Sequence, residues 1–198
     1  MLSAKENKQG STCESIMLEC IKKRRSIRKY KNEEVSNEVI FKLLDAARHA
    51  PFGGPCEIGP QLWEFIIIRN PTIRKALAHE NKEREFITTA PVIIACCADT
   101  TKDPKYRDYD ITVALAVENL MLAATSMGLG TCYVTCYGNH IAHEGERKIL
   151  RETLKLPAHI RLVSLITLGY PDEVPTPKPL RELENMVHYD HWGRKKCQ

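Results

Sequence analysis

The segment from Asp108 to Met127 constrains the fold of this chain most strongly, because it is apolar on nearly every side of a helix. Only Glu118 and Asn119 interrupt the longest apolar run, which spans residues 111–129. A helix that is apolar all round lies in the middle of a domain or at a subunit interface. We therefore predict a long buried helix that ends at the glycines of "GLG" (residues 128–130) and has the other elements packed around it.

Helical and strand patterns alternate along the rest of the chain. Strands are predicted for four apolar runs, "WEFIIIR", "PVIIACCA", "TCYVT" and "IRLVSLITLGYP". Ser11 and Glu14 form a capping-box pattern ahead of a first helix. Ser36 as an N-cap and Pro71 as a first helical residue predict two more helices, and "EGERKILRETLKL" is amphipathic. This mixture predicts a single α+β domain over residues 1–198.

The two ends of the chain differ in composition from its middle. The first ten residues are polar, and we expect them to be mobile. After the strand pattern, "PDEVPTPKPL" holds four prolines in ten residues. Proline lacks the N–H that a helix or a central strand requires. We therefore predict that residues 172–198 form an extended arm that reaches across a neighbouring surface.

Charge and cysteine pattern argue against several classes of protein. The net charge is only +4, which does not call for a nucleic-acid partner. No window approaches the length of apolar chain that a membrane span needs. None of the eight cysteines forms a C-x-x-C pair, and the histidines of "HYDHW" have no accompanying ligands, so we assign no metal. With no signal-peptide pattern, we expect a reduced, cytoplasmic protein.

The stretch "RRSIRKY" (residues 24–30) follows directly after the first predicted helix. Two interpretations fit the residues themselves. Cations are favourable at the C-terminal end of a helix, where they face the negative end of the helix dipole. Guanidinium groups are also the preferred donors to a phosphate, which they bind in a bidentate manner.

Several segments together resemble the FMN-dependent nitroreductase family, in the order that this family shows. They are "RRSIRKY", the proline- and glycine-containing loop that ends in "PQLWEFIII", "APVIIACCAD", "ALAVENLMLAATSMGLGTCYV" and "LVSLITLGYPDEVPTPKPL". The resemblance covers most of residues 15–190. It implies a nitroreductase-like fold with a central, mostly antiparallel sheet flanked by helices. It further implies a homodimer with FMN at the subunit interface and a C-terminal arm that reaches the partner.

The resemblance also implies a set of FMN-binding residues in "RRSIRKY" and the arm. Arg24 is expected at the phosphate, Arg25 and Ser26 along the cofactor, and Arg28 beside the ring edge that gains negative charge on reduction. A Lys-x-Arg pair commonly completes the phosphate site in the family. Lys178 matches its lysine, whereas Leu180 stands at the arginine position and Arg181 follows it; both cations are candidates.

Two further segments carry site residues by the same resemblance. Pro51, Phe52 and Gly53 correspond to a loop that contacts the FMN of the partner subunit, although Phe52 stands where the family has a small residue and Pro55 where it has an asparagine. Backbone N–H groups just beyond the third strand meet flavin N5, and the corresponding positions are 135 and 136. Thr135 and Cys136 are therefore candidates, with a buried, inert thiol favoured over a redox role for Cys136.

The implied activity is that of an NAD(P)H-dependent nitroreductase-type oxidoreductase. Hydride passes from NAD(P)H through FMN N5 to a nitroaromatic, a quinone or a flavin in a ping-pong mechanism. We assign no catalytic acid or base, since the cofactor performs the hydride chemistry. The altered loop motivates one alternative, a flavin-binding protein for storage or sensing without efficient turnover. A specialised branch with one substrate and a plain α+β binding module also remain open.

Overall fold

The computed structural model describes residues 10–52, 61–78, 82–105, 108–136 and 144–195. The helices are α1 (Gly10–Lys23), α2 (Asn37–Ala47), α3 (Pro71–Ala78), α4 (Phe86–Thr89), α5 (Tyr109–Ser126) and α6 (Glu144–Thr153). The strands are β1 (Trp63–Ile68), β2 (Val92–Asp99), β3 (Gly130–Thr135) and β4 (Ile160–Gly169). Short 3-10 turns span Lys82–Arg84 and Leu183–Asn185. All four predicted strands are present.

Within these ranges the strands form one sheet in the order β1-β2-β4-β3, and each neighbouring pair is antiparallel. Alternate residues of β2 and β4 face opposite sides of the sheet. One side packs against α2 and α5, and the other packs against α3, α4 and α6. The predicted α+β class with an antiparallel sheet is confirmed.

Helix α5 lies on the first of these faces, as its apolar pattern predicted. It buries eight residues: Tyr109, Thr112, Val113, Ala116, Val117, Leu120, Met121 and Ala124. Its other side is not covered by the described residues, since Ile111 is 59% and Leu115 is 43% exposed. The helix is therefore half buried in the subunit itself, and its outer apolar side is available to a second molecule.

The N-terminal ends of the helices follow the predicted signals to different degrees. Ser36 caps α2, and its hydroxyl accepts a hydrogen bond from the N–H of Val39 at 3.3 Å. Pro71 is the first residue of α3. Helix α1 begins at Gly10, one residue before Ser11; the side chains of residues 10–15 and the first nine residues lie outside the described part of the chain.

The segment of residues 24–31 runs along the outer edge of β3 and onward to the end of β4. The N–H of Ile27 donates to the carbonyl of Thr131 at 2.9 Å, and that of Lys31 donates to the carbonyl of Tyr170 at 2.9 Å. This approach leaves no space for a side chain at Gly130, because a Cβ there would lie 2.8 Å from the side chain of Ile27. We call residues 24–30 the arginine segment.

Residues 172–195 follow β4 without a strand and with a single 3-10 turn. Their apolar side chains face away from this subunit, and Trp192 is 91% exposed. That residues 172–198 form an arm that reaches a neighbouring surface stays a prediction. No helix of the described ranges has the length and apolar character needed to cross a bilayer.

We expect Gly130→Ala to lower the free energy of unfolding by about 1–3 kcal/mol, because the added methyl group overlaps Ile27 and the arginine segment must move off β3. Urea denaturation followed by circular dichroism measures this change. Lys148→Ala on the exposed side of α6 is the control. Equal stability of G130A and the wild type would show that the close approach of Ile27 to β3 does not hold in solution.

Candidate functional site

A cluster of three cations forms where the start of the arginine segment meets the arm. The Nε of Arg24 lies 3.4 Å from a carboxylate oxygen of Glu118 on α5, and the Arg24 side chain is only 17% exposed. Burial and then the positive charges of Arg24 and Arg25 lower the pKa of Lys178, while Glu118 acts in the opposite direction. Arg24, Arg25 and Lys178, which we call the cation cluster, therefore lie near one another, and Glu118 is close to Arg24 and Lys178.

Arg25 also serves the helix that precedes it. Its Nη1 donates to the carbonyl of Lys22 at 2.5 Å and to that of Arg24 at 2.9 Å. These carbonyls belong to the C-terminal end of α1, where cations are favourable. One nitrogen of the Arg25 guanidinium therefore caps the helix, as the first interpretation of "RRSIRKY" predicts, and the phosphate interpretation stays a prediction for this residue.

A cleft of about 400 Å³ opens at the outer edge of β3, beside the arginine segment. Its described lining consists of Arg28, Arg84, Phe86, Cys132, Tyr133, Val134 and Thr135. The guanidinium carbon of Arg28 lies 5.5 Å from the centroid of the Phe86 ring, within the range of a cation–π contact. The cleft thus combines a cationic wall, an aromatic surface and the backbone edge of a strand.

The register of β3 distinguishes between the two predicted backbone donors. The N–H of Cys136 donates to the carbonyl of Val163 at 2.9 Å, so it points into the sheet. In an antiparallel sheet, the backbone N–H and C=O groups of successive residues point to opposite edges of their strand. The carbonyl of Thr131 points outward to Ile27, and the backbone of Thr135, four residues further along β3, faces the same edge. The N–H of Thr135 therefore points to the outer edge, at the cleft, and Thr135 is the better candidate of the two.

Two buried thiols lie near the site. Cys136 is buried, and its Sγ donates to the carbonyl of Val134 at 3.6 Å. Burial raises the pKa of Cys132, although the charges of Arg28 and Arg24 and a hydrogen bond with Ser26 oppose this shift. Ser26 itself is joined to β3 by a parallel bridge to Thr131. These thiols are not set up as nucleophiles, because the thiolate is the reactive form.

The predicted residues of the loop are only partly described. The ring of Phe52 packs edge-to-face on Trp63 with centroids 5.7 Å apart, and it joins the core that contains α2 and α5. Pro51 is exposed. Gly53 and the rest of residues 53–60 lie outside the described residues. Trp63 is a core residue, and its Nε1 donates to the carbonyl of Thr112 at 3.2 Å.

No described contact joins Arg181 to the cation cluster. It is exposed, and among the described residues it makes no hydrogen bond or ion pair. The two histidines of "HYDHW" also have separate surroundings. His188 stacks on Trp192 and its Nδ1 accepts a hydrogen bond from the N–H of Gly193 at 2.8 Å. Within the described ranges no group of His, Cys, Asp and Glu is arranged to hold a metal.

Sequence reasoning missed Arg84 and Phe86 in the cleft and Glu118 beside the cation cluster. Arg84 ends the 3-10 turn and Phe86 begins the short helix α4 before β2, and no motif marks either residue. Glu118 did carry a signal, because it is the single acid within the long apolar run. A charge that interrupts such a helix has to face a cation or solvent, and here it faces Arg24.

Comparison with known proteins gives consistent results. The model of the nitroreductase family matches residues 21–84 and 75–170. A protein of Methanothermobacter thermautotrophicus, provisionally named NADH dehydrogenase/NAD(P)H nitroreductase, is 34% identical, with 92% of this chain and 91% of that protein covered. A crystal structure with the same provisional name from Parabacteroides distasonis superposes with a TM-score of 0.78 at 32% identity, covering 89% and 98%. An FMN-dependent nitroreductase from Clostridium difficile superposes with a TM-score of 0.75 at 29% identity, covering 88% and 99%.

We expect inorganic phosphate to raise the melting temperature of the ligand-free protein, because an anion relieves the repulsion within the cation cluster. Arg24→Ala and Lys178→Ala should each weaken phosphate binding by about tenfold, or about 1.4 kcal/mol. Differential scanning fluorimetry over a phosphate series measures the effect. Arg181→Ala is the matched control on the same arm. An equal loss in R181A and K178A would contradict the placement of the site.

Proposed function

This chain belongs to the nitroreductase family and is an oxidoreductase, and from this premise we propose that it binds FMN and uses NAD(P)H to reduce a small acceptor in a ping-pong sequence. The acceptor class that we propose is a nitroaromatic, a quinone or a flavin. The observation that carries the proposal is the meeting of Arg24 and Arg25 with Lys178 at the end of α1, next to the cleft that holds Arg28.

The residues present fit the phosphate of FMN. Glu118 lies beside Arg24, while burial and then the positive charges of Arg24 and Arg25 lower the pKa of Lys178, so the three cations repel one another. A dianionic phosphate removes that repulsion, and a guanidinium is the preferred partner for such a group. Arg24 and Lys178 would hold the phosphate, while Arg25 would contribute charge from its position on the end of α1.

The cleft fits the ring. Bound FMN supplies the chemistry of hydride acceptance and release, which no amino-acid side chain provides. Arg28 places a fixed positive charge in the cleft, and such a charge favours a ring that gains negative charge on reduction. Thr135 offers an outward N–H to a ring nitrogen, and Ser26 lies between the cation cluster and the cleft.

Proton supply does not require an acid from the protein. The Tyr30 hydroxyl, at the end of the arginine segment, donates to the carbonyl of Ile27, and burial raises the pKa of this phenol well above its ordinary value. We therefore name no catalytic acid or base, and water is the proton source in this proposal.

We further propose that residues 1–198 act as one domain in a cytoplasmic homodimer. The uncovered apolar side of α5 continues onto α1, which packs beside it. Ile16, Met17, Leu18 and Ile21 of α1 are all exposed. Contiguous exposed apolar side chains of this kind mark an interaction surface. The exposed Val174, Leu180 and Trp192 of the arm offer a second apolar contribution.

The purified protein should be yellow, and its flavin absorption should bleach when NADH or NADPH is added without oxygen. An added nitroaromatic or quinone should then restore the absorption, as a ping-pong sequence requires. Anaerobic stopped-flow spectroscopy measures both half-reactions. A yellow protein that never bleaches would favour the storage or sensing role, and a colourless protein that FMN does not reconstitute would contradict the proposal.

Leu115→Asp should break the homodimer, because it places a charge on the uncovered apolar side of α5. We expect sedimentation velocity to show a monomer, accompanied by loss of bound FMN. Lys148→Asp on the exposed side of α6 is the control and should stay dimeric. A wild-type protein that is monomeric at micromolar concentration and still binds FMN would contradict the shared site.

A further inference from the structure

Glu173, at the start of the arm, bonds directly to the backbone of the arginine segment. Its Oε1 accepts a hydrogen bond from the N–H of Arg28 at 2.5 Å and another from the N–H of Lys29 at 3.0 Å. The partners lie 145 and 144 residues apart in sequence. One carboxylate oxygen thus fixes two consecutive peptide groups, and one of them belongs to the arginine of the cleft.

We propose that Glu173 is a positioning residue for flavin binding, which holds Arg28 at the cleft and the arm at the cation cluster. The inference rests on the proposed function, because it assigns to Glu173 the geometry of that same site. No catalytic contact is assigned to the carboxylate, which acts through the backbone of Arg28 and Lys29.

Backbone contacts next to Glu173 already hold the arginine segment against the end of β4. The arginine segment and the end of β4 are already joined by the bond from Lys31 N–H to the Tyr170 carbonyl and by that from Asp172 N–H to the Lys29 carbonyl, both 2.9 Å. A bridge between Tyr30 and Pro171 lies between them. The hydrogen bonds to Glu173 are the last of these contacts before the arm continues toward Lys178.

The hydrogen-bond acceptor of the Arg28 and Lys29 N–H groups is accordingly a side-chain oxygen and not a carbonyl of a neighbouring strand. Backbone N–H groups that lose their acceptor have to be satisfied by water or by a rearranged backbone. Loss of the Glu173 carboxylate therefore frees the backbone of Arg28 at the cleft. It also removes the contact that directs residues 173–178 toward Arg24 and Arg25.

The charge of Glu173 acts in the opposite direction from its hydrogen bonds. The carboxylate is close enough to the site to raise the pKa of both Tyr30 and Cys132. A negative charge in this place opposes the binding of a phosphate dianion and of an anionic reduced ring. Removing the charge alone should therefore tighten FMN binding, whereas removing the hydrogen-bond acceptor should weaken it.

Two variants separate these effects. Glu173→Gln keeps an oxygen that accepts from both N–H groups and removes the charge, and Glu173→Ala removes both. We expect E173A to bind FMN about tenfold more weakly than the wild type, and E173Q to bind as tightly or more tightly. Titration of the ligand-free protein with FMN, followed by quenching of flavin fluorescence, measures the Kd. Glu182→Ala, an exposed arm residue without a capping hydrogen bond, is the control.

A redox readout and a backbone readout complete the test. The midpoint potential of the flavin should rise in E173Q, because an anion beside Arg28 is lost, and should stay unchanged in E182A. Amide hydrogen exchange at Arg28 and Lys29 should accelerate in E173A but not in E173Q. The positioning role would be overturned if E173A and E173Q changed the Kd for FMN by the same factor, or if neither variant changed it.

The exchange measurement also distinguishes this inference from the proposed function. If wild-type protein does not bind FMN, the proposed function fails. Amide hydrogen exchange at Arg28 and Lys29 still shows whether Glu173 fixes their backbone. If wild-type protein binds FMN and exchange at Arg28 is the same in E173A and E173Q, the positioning role fails and the proposed function stands.

Discussion

The hydrogen bond from the N–H of Ile27 to the carbonyl of Thr131 is the contact on which the candidate site depends. It fixes the arginine segment along the free edge of β3, so that Arg24 and Arg25 remain at the end of α1 while Arg28 reaches the cleft. Gly130 makes this approach possible, because any larger residue would overlap Ile27. The segment thus behaves as an additional edge element of the sheet, although it contains no regular strand.

The positive charges of the cation cluster favour the binding of an anion at this place. Three neighbouring cations, of which Arg24 is largely buried and pairs with Glu118, form an arrangement that is unfavourable without an anion. Such an unfavourable arrangement is typical of a functional site, since the ligand supplies the missing charge. Arg25 needs no further element to hold it in place, because its guanidinium also donates to carbonyls at the end of α1.

The main elements of the fold were predictable because each has a local physical cause. The long apolar run predicted α5, apolar runs predicted the four strands, and Ser36 marked the start of α2. The position of the site required more than local pattern. Arg24 and Lys178 were paired only through the resemblance to a family, since no spacing rule connects residues so distant in sequence.

The remaining features depended on tertiary structure. Only strand register distinguishes the outward N–H of Thr135 from the inward N–H of Cys136. The exposure of Ile16 and Ile21 was likewise hidden, because an amphipathic pattern predicts an apolar face but not which molecule covers it. Phe52 was considered only as a site residue, whereas the structure also gives it a packing role against Trp63.

In the proposed function, the cation cluster is the phosphate end of a flavin site. The most direct test compares the binding of FMN with that of riboflavin, which carries the same ring and ribityl chain without the phosphate. We predict that the wild type prefers FMN by at least about tenfold, and that the double variant R24A/K178A loses most of this preference while its affinity for riboflavin is unchanged. Equal affinity of the wild type for FMN and riboflavin would contradict the account.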